Sequence, residues 1–298
     1  MTDNEISVVG IGEVLWDVLP EGKKLGGAPA NFAYHVSQLG IKSCAISAVG
    51  DDQLGHEAIR QLNQRHLNHI IETVPQPTGT VNVTVDGNGI PSYRIEENAA
   101  WDNIPFSPQI EAAAKGCTAV CFGSLAQRSD VSRQTVYNFL DAMPADGHHY
   151  RIFDINLRQE FFTEAVIRES MRRCDILKIN DEELGVVSRM FGYPDIDIIG
   201  RCRMLLEEYG LRMLILTCGV DGSYVLTADA ESFAATPKVD VADTVGAGDS
   251  FTAAFVASLL HGKSVREAHE CAVKVSAYVC TQKGAMPTLP DSLKPLCE

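Results

Sequence analysis

The strongest chemical signal in the chain is a glycine-rich segment, DTVGAGDSF at residues 243–251. Gly246, Ala247 and Gly248 carry little or no side chain, so a ligand can approach their backbone N–H groups closely. The apolar spacing that follows predicts a helix over 249–261, and a helix dipole favours negative charge at its N-terminus. The sequence therefore predicts an anion hole formed by these three residues.

Asp249 directly follows the predicted anion hole. A carboxylate beside a bound phosphate repels it, so this placement does not suit a site that only binds. It suits a carboxylate that accepts a proton from an attacking hydroxyl while the anion hole stabilises the transferred phosphoryl group. We therefore predict phosphoryl transfer with Asp249 as the base. The alternative is an aspartate that only caps a helix after a glycine turn.

A second glycine-containing segment, KLGGAPANFAYH at residues 24–35, lies near the start of the chain. Its paired glycines, the second of which is Gly27, permit positive φ angles and close approach of a ligand. Asn31 falls in the first turn of a helix predicted over 30–39, and its amide can both donate and accept hydrogen bonds. With Asp17 as a further acceptor, the pattern fits a polyol; a simple turn at the glycines is the alternative.

The remaining chain alternates short apolar runs with amphipathic stretches. Nearly continuous apolar strands are typical of a parallel sheet covered on both faces. We predict a single α/β domain over 1–298: a doubly wound, mostly parallel sheet flanked by helices, with ligands beyond the carboxyl ends of the strands. The predicted strands are 7–12, 43–49, 119–123, 152–155, 176–179 and 213–217. The predicted helices are 30–39, 53–65, 132–142, 163–173, 181–191, 197–209, 249–261 and 265–281.

One stretch interrupts this alternation. TVNVTV at 80–85 alternates polar and apolar residues, DGNG at 86–89 is a turn signal, and SYRIE at 92–96 resumes an extended pattern. A sheet of this size is not stable alone, and one of its faces must therefore pack on a ligand, on the main domain or on another subunit. We interpret it as a lid, formed by about 12–26 and 78–100; a decorative surface hairpin is the alternative.

Composition limits the classes of partner. The 298 residues include 25 Lys and Arg against 39 Asp and Glu, a formal charge of −14. This balance disfavours a nucleic acid or an anionic membrane as the main partner. The polar, acidic amino terminus lacks the features of an export signal, so we expect a cytoplasmic protein.

Some side chains outside the two segments remain to be assigned. Trp101 and Phe106 could stack on a sugar ring, although core packing is the commoner role of aromatic residues. The nine cysteines are odd in number and form no CxxC pair. We expect ordinary reduced thiols in the core and no zinc site.

The segments GGAPANFAYHVSQLG at 26–40 and DTVGAGDSF at 243–251 resemble the two signatures of the ribokinase-like (PfkB-type) carbohydrate kinases. The resemblance spans nearly the whole chain, and the inserted hairpin occurs where that family has its lid. Within the family, GEVLWDVLPEGKKLGGAPANFAYH at 12–35 is most similar to fructokinases. The chain has no GxxxxGK[ST] loop, so the backbone N–H groups of the predicted anion hole and a metal ion would bind the phosphates.

The resemblance implies ATP-dependent phosphorylation of a sugar hydroxyl. Asp249 would be the base that deprotonates the hydroxyl, beside the anion hole. Asp17, Gly27 and Asn31 would bind the sugar, and Arg158 could contact a phosphate or a substrate oxygen. Trp101, which lies just after the hairpin, is the further candidate for sugar binding. Arg158 ends DINLR at 154–158, which resembles the family's DxNxR; a structural ion pair is its alternative role. The family often continues with Leu-Trp, whereas this chain has Phe161 and Phe162.

The resemblance also implies a nucleotide and metal site. NDEE at 180–183 matches the family's NxxE, so Asn180 and Glu183 would organise Mg²⁺ and phosphates, often through water; helix capping is the alternative. Asp243 and the loop at 284–285 correspond to a monovalent-cation (K⁺) site in some members. The nucleotide loop would be formed by Thr217, Gly219 and Gly222, for which an ordinary strand end is the alternative.

The predicted activity is transfer of the γ-phosphate of ATP, with Mg²⁺, to a primary hydroxyl of a monosaccharide. By resemblance the sugar is fructose and the product fructose 6-phosphate. Two other substrates stay open, 2-keto-3-deoxygluconate and ribose, as does a non-catalytic sugar- or nucleotide-responsive sensor on the same scaffold. The apolar face of the lid favours a homodimer in which two lids pair, as in relatives of the family.

Overall fold

The computed structural model describes residues 7–19, 22–85 and 91–297. Two sheets organise this part of the chain, one of nine strands and one of four. In chain order the strands are β1 (Ser7–Ile11), β2 (Leu15–Leu19), β3 (Gly22–Gly26), β4 (Lys42–Gly50), β5 (Asn68–Val74), β6 (Gly79–Val85), β7 (Pro91–Ile95), β8 (Ala119–Phe122), β9 (Tyr150–Asp154), β10 (Ile176–Asn180), β11 (Met213–Thr217), β12 (Ser223–Leu226) and β13 (Glu231–Ala234).

Helices connect most of these strands. They are α1 (Ala28–Gln38), α2 (Gln53–Gln64), α3 (Pro108–Gly116), α4 (Asp130–Ala142), α5 (Glu164–Arg173), α6 (Asp181–Phe191), α7 (Ile198–Tyr209), α8 (Ala247–Leu260), α9 (Val265–Cys280) and α10 (Lys294–Cys297). In the described ranges, none of them combines the length and apolarity needed to cross a membrane.

The large sheet has the strand order β13-β12-β11-β10-β9-β8-β1-β4-β5. From β11 to β5 every neighbouring pair is parallel, whereas the pairs β11–β12 and β12–β13 are antiparallel. The predicted doubly wound, mostly parallel sheet is therefore confirmed. The chain leaves β1 toward β4 on one side and later returns to β8 on the other, so the carboxyl ends of β1 and β8 border the crevice expected to bind ligands.

The two faces of the sheet carry separate hydrophobic clusters because successive strand side chains point in opposite directions. Val8 belongs to a cluster with Phe32 of α1 and Phe251 of α8, while Val9 packs with residues of α3 to α7 such as Phe139. Burial on both faces explains why the sequence shows continuous apolar runs in these strands.

Every predicted strand and helix is present, with ends displaced by about two residues at most. The sequence reasoning missed α3, α10, β5 and the β12–β13 pair. β5 is an edge strand of half-buried residues, and β12 and β13 are short, so neither shows a long apolar run. These elements are held by pairing with neighbours rather than by a strong local signal.

The small sheet has the order β3-β2-β6-β7, with β2–β3 and β6–β7 antiparallel and β2–β6 parallel. The predicted hairpin is present as β6 and β7, and its predicted turn at 86–89 lies outside the described residues. The sheet rests partly on the main domain: Trp16 is fully buried against α1 and α2, and its indole N–H donates to the Leu54 carbonyl at 3.0 Å.

The expectation of reduced thiols is wrong for one pair of cysteines. Cys271 of α9 and Cys297 of α10 form a disulfide, with their Cα atoms 5.8 Å apart. The other seven cysteines are free. The sequence could not reveal this pair because its formation depends on how α10 packs against α9.

Candidate active site

The N-terminus of α8 lies where the glycine-rich segment predicts it. Gly246 is the N-cap residue with φ of 79°, a left-handed conformation that favours glycine. A Cβ at Gly246 would lie 2.7 Å from the Cα and carbonyl oxygen of Ala285. The loop at 284–285 therefore packs directly on this glycine and fixes the entry into α8.

The first turn of α8 presents backbone donors to the crevice. The N–H groups of Gly248 and Asp249 have no acceptor within the helix, because the first turn always leaves such groups unpaired. The Ala247 N–H donates to the Thr244 carbonyl at 3.2 Å, so this predicted donor already has a partner. The Ser276 hydroxyl of α9 holds the Ala247 carbonyl at 2.9 Å. The result is a rigid helix start suited to an anion.

Asp249 lies next to these donors and contacts the second predicted segment. The Asn31 side-chain Nδ2 donates to Asp249 Oδ2 at 2.8 Å. Asn31 is 4% exposed, whereas Asp249 is partly exposed. Tertiary packing thus brings the two motifs of the sequence into one site, with a carboxylate that solvent or a ligand can reach.

The environment of Asp249 favours its neutral form. Burial raises the pKa of this carboxyl to about 6, and the negative charge of Asp154 adds to the effect. The amide of Asn31 and the cations of Lys178 and Arg158 act in the opposite direction. A base with a pKa near neutrality is well matched to proton transfer at physiological pH.

Glu13 is a second buried carboxyl in the site, which the sequence reasoning missed. It lies between β1 and β2 and is 3% exposed, and burial raises its pKa to about 7. Its Oε2 and the Oδ1 of Asn31 have no hydrogen-bond partner within the described chain. Buried acceptors of this kind are satisfied by a ligand that donates, such as a hydroxyl-bearing sugar. A glutamate directly after a strand that ends in glycine was the available signal.

Gly27 and Asp17 line the same side of the crevice. Gly27 has φ of 117°, and a Cβ there would lie 2.2 Å from the Glu13 carbonyl oxygen, so no side chain fits. Asp17 of β2 is partly buried, and its Oδ2 would lie 2.8 Å from a Cβ on Gly26. Burial raises the pKa of Asp17, while Lys24 and Arg158 oppose the shift. Their predicted role in sugar binding stays a prediction.

Trp101 and Phe106 belong to hydrophobic clusters. Trp101 is fully buried, and the Arg128 guanidinium lies 4.1 Å from its ring centroid, while Phe106 is half-buried against the main core. Arg128 also forms a salt bridge with Asp102 at 2.8 Å. In this arrangement Trp101 supports the connection after β7, and its stacking on a sugar stays a prediction.

Arg158 follows β9 at the carboxyl edge of the sheet. It is exposed, and its guanidinium donates to the Leu157 carbonyl at 3.0 Å. Its charge nevertheless lowers the pKa values of Glu13, Asp17 and Asp249, so it lies near all three carboxyls. This position is compatible with the predicted contact to a phosphate or a substrate oxygen.

Asn180 and Glu183 form a capping box at the start of α6. Asn180 Oδ1 accepts from the Glu183 N–H at 2.8 Å, and Glu183 Oε2 accepts from the Asn180 N–H at 3.0 Å. Glu183 Oε1 accepts from the Leu157 N–H at 2.9 Å. Both oxygens of this buried carboxyl are thus engaged with the backbone. Contact with Mg²⁺ through water fits these residues better than direct coordination.

The described residues contain no cluster of three His, Cys, Asp or Glu side chains able to hold a metal ion.

The predicted nucleotide loop follows β11. Thr217 pairs with Asn180 in the sheet, so the loop and the capping box lie side by side. Gly219 and Gly222 have φ of 52° and 118°, and a Cβ on Gly222 would lie 2.6 Å from the Ala234 carbonyl oxygen. Val220, between the two glycines, is 88% exposed. Nucleotide binding by this loop stays a prediction.

Asp243 bridges the glycine-rich segment and the loop at 284–285. Its Oδ2 accepts from the Gly284 N–H at 3.0 Å and its Oδ1 from the Val245 N–H at 3.1 Å. The Lys24 ammonium of β3 lies 3.8 Å from Oδ2. Asp243 therefore stabilises the two loops around Gly246, and its role at a K⁺ site stays a prediction.

The chain is similar over nearly its whole length to known sugar kinases. The family model for "pfkB family carbohydrate kinase" matches residues 15–292. A fructokinase from Klebsiella pneumoniae is 31% identical over 94% of this chain and 95% of its own. An ATP-dependent 6-phosphofructokinase from Thermoanaerobacterium thermosaccharolyticum is 27% identical over 97% and 92%. The crystal structure of fructokinase from Vibrio cholerae O395 with fructose, ADP and calcium superimposes with a TM-score of 0.82 at 23% identity, covering 99% and 100%.

Proposed function

This chain belongs to the pfkB family of carbohydrate kinases, and from that premise we propose that it transfers the γ-phosphate of ATP to a primary hydroxyl of fructose. The observation that carries the proposal is the contact between Asn31 and Asp249 at the N-terminus of α8. In this proposal the contact joins Asp249, the base whose pKa burial raises, to the backbone N–H donors for an anion and to buried oxygens that can accept from sugar hydroxyls.

In this proposal the sugar lies beside Asn31, Glu13 and Asp17, and its reacting hydroxyl faces Asp249. Asp249 accepts the hydroxyl proton as the oxygen attacks the γ-phosphorus, and the bond to the bridging oxygen of ADP breaks in line. The N–H groups at the start of α8 stabilise charge on the transferred phosphoryl group. Magnesium, bound as MgATP, neutralises phosphate charge.

Two features of the small sheet support the proposal that it acts as a lid over the sugar. Asp17 lies on it, and Lys24 reaches from it to Asp243 in the main domain at 3.8 Å. Closure over the sugar would exclude water, so that ATP is not hydrolysed. We also propose that two copies pair through these sheets, a proposal that sedimentation of the protein checks directly.

Two relatives support fructose as the substrate. The Klebsiella fructokinase is 31% identical, and the Vibrio structure holds fructose. 2-keto-3-deoxygluconate and ribose remain second candidates because hydroxyl-binding side chains are few and adjustable. A non-catalytic sensor is disfavoured, since a pure binding protein has no use for a partly exposed base beside an anion hole.

The test is ADP release from ATP and Mg²⁺ with fructose, 2-keto-3-deoxygluconate or ribose, with the phosphorylated position determined by NMR. We expect turnover with fructose and phosphate on a primary hydroxyl. The matched control is Asp249→Asn, expected to lose about 10³-fold or more in kcat while it still binds ATP. ADP release that no sugar stimulates would overturn the kinase proposal, and preference for another sugar would overturn only the assignment of fructose.

A further inference from the structure

Lys178 is a buried lysine close to the predicted anion hole. It lies in β10, directly opposite Asp154 of β9 in the sheet register, and only 7% of it is exposed. Its Nζ lies 3.1 Å from Asp154 Oδ1, and a Cβ placed on Gly248 would lie 3.0 Å from the same Nζ. The ammonium therefore lies against the first turn of α8, where the backbone N–H groups are free.

The partner of this lysine is also tied to α8. Asp154, 5% exposed, accepts from the Thr252 hydroxyl through its second oxygen, Oδ2, at 3.1 Å. Thr252 lies three residues after Asp249 on the same helix. The charged pair of Lys178 and Asp154 in the sheet therefore contacts the first turns of α8.

Three carboxyls surround the ammonium, and their attraction outweighs its desolvation. Asp154, Glu183 and Asp249 raise the pKa of Lys178, so it stays charged. Stability alone does not explain such a group, because replacing a buried ion pair by apolar residues is often neutral or stabilising. A buried lysine between Leu177 and Ile179 in the strand needs another reason, and its place beside Gly248 supplies one.

We propose that Lys178 is a positioning residue of the phosphoryl-transfer site, whose buried ammonium beside Gly248 makes the start of α8 electropositive for the γ-phosphate of ATP. The role rests on the proposed kinase function. Lys178 would do the work of a phosphate-binding lysine in a chain that has no GxxxxGK[ST] loop. Its ammonium comes from a strand of the sheet and acts through the backbone of α8.

The test compares Lys178→Met, Asp154→Asn and the double variant with both substitutions. Lys178→Met removes the charge with little change in volume but leaves Asp154 buried and unpaired. The double variant removes both charges, so it keeps the test informative if the single variant fails to fold. Thermal unfolding establishes that each variant compared is folded.

We expect Lys178→Met to lose about 10²-fold in kcat, comparable to removing one donor from an oxyanion hole. We expect the double variant to stay at that low level, and Asp154→Asn, which keeps the ammonium, to lose less than either. Recovery of the double variant to wild-type kcat would overturn the proposal, because it would show that Lys178 only compensates the charge of Asp154.

A second measurement does not depend on the sugar. Binding of MgATP and MgADP is measured by calorimetry in wild type and in the double variant. We expect the preference for ATP over ADP to fall by about tenfold, equivalent to about 1.4 kcal/mol, because the cation lies at the γ-phosphate end. An unchanged preference for ATP over ADP would overturn the role of Lys178, whether or not a sugar is turned over. Absence of turnover with every sugar would by itself count only against the kinase function.

Discussion

Asn31 and Asp249 are 218 residues apart in the chain and are joined by a hydrogen bond of 2.8 Å from the amide Nδ2 to the carboxylate Oδ2. The bond links the first turns of α1 and α8, each of which begins after a glycine with positive φ. It fixes the orientation of the proposed base and leaves the second carboxylate oxygen for a substrate hydroxyl. It also opposes protonation of Asp249, because a donor favours the charged form.

We expect Asp249, the proposed base, to set the pH dependence of turnover. Its pKa is about 6, raised chiefly by burial, and only its deprotonated form accepts a proton. We therefore expect kcat/KM to be low at pH 5, to rise through about pH 6 and to level off above pH 7. The control is Glu13→Gln, which removes the carboxyl whose pKa burial raises to about 7, and this variant should retain the rise near the same pH. A rise that vanishes in this variant would assign it to Glu13.

Substitution of Asn31 by alanine should move this pH profile. The variant loses the donor that lowers the pKa of Asp249, so the rise in kcat/KM shifts by about one pH unit to the alkaline side. Turnover at pH 7 falls as a consequence, and measurements above pH 8 should recover part of it. A loss of turnover with an unshifted profile would mean that Asn31 acts on the sugar and not on the base.

The proposed base should cost stability. Burial raises the pKa of Asp249 from its ordinary value of 3.8 to about 6 in the folded chain, so the native state binds the proton more tightly than the unfolded state. Its contribution is therefore unfavourable at pH 7 and disappears as pH falls below about 4. Asp249→Asn should stabilise the protein at pH 7 by about 1–3 kcal/mol in urea unfolding, with a smaller gain at pH 4.5. An equal gain at both pH values would contradict the raised pKa of Asp249.

Two glycines that flank α8 offer a matched pair. Gly246 and Gly262 both have positive φ, of 79° and 84°, but only Gly246 faces backbone atoms of Ala285 at 2.7 Å, while the space around Gly262 is open. Gly246→Ala should displace the loop at 284–285 and lower kcat/KM by about 10²-fold or more. Gly262→Ala should cost about 1 kcal/mol of stability and leave kcat/KM within about twofold. Similar activities for the two variants would contradict a preformed anion hole.

Several parts of the candidate site were accessible from sequence because they depend on local structure. A glycine-rich turn that leads into a helix produces free N–H groups wherever it occurs, so the segment at 243–251 indicated an anion hole. The NxxE pattern indicated either a site for Mg²⁺ and phosphates or a helix cap, and the cap is present as the capping box between Asn180 and Glu183. The strands of the large sheet were equally evident, since burial on both faces requires continuous apolar runs.

The sequence by itself determined the order of the central strands and of the long helices, the inserted hairpin and the two glycine segments, because each depends on residues that are neighbours in the chain. Only the tertiary structure decided that Asn31 meets Asp249, that Glu13 is buried beside them, that Lys178 lies against Gly248 and that Cys271 joins Cys297. The physical reason is that desolvation, charge proximity and the approach of distant side chains are properties of the packed chain. They arise when α1, β10 and α8 come together, and no local pattern encodes them.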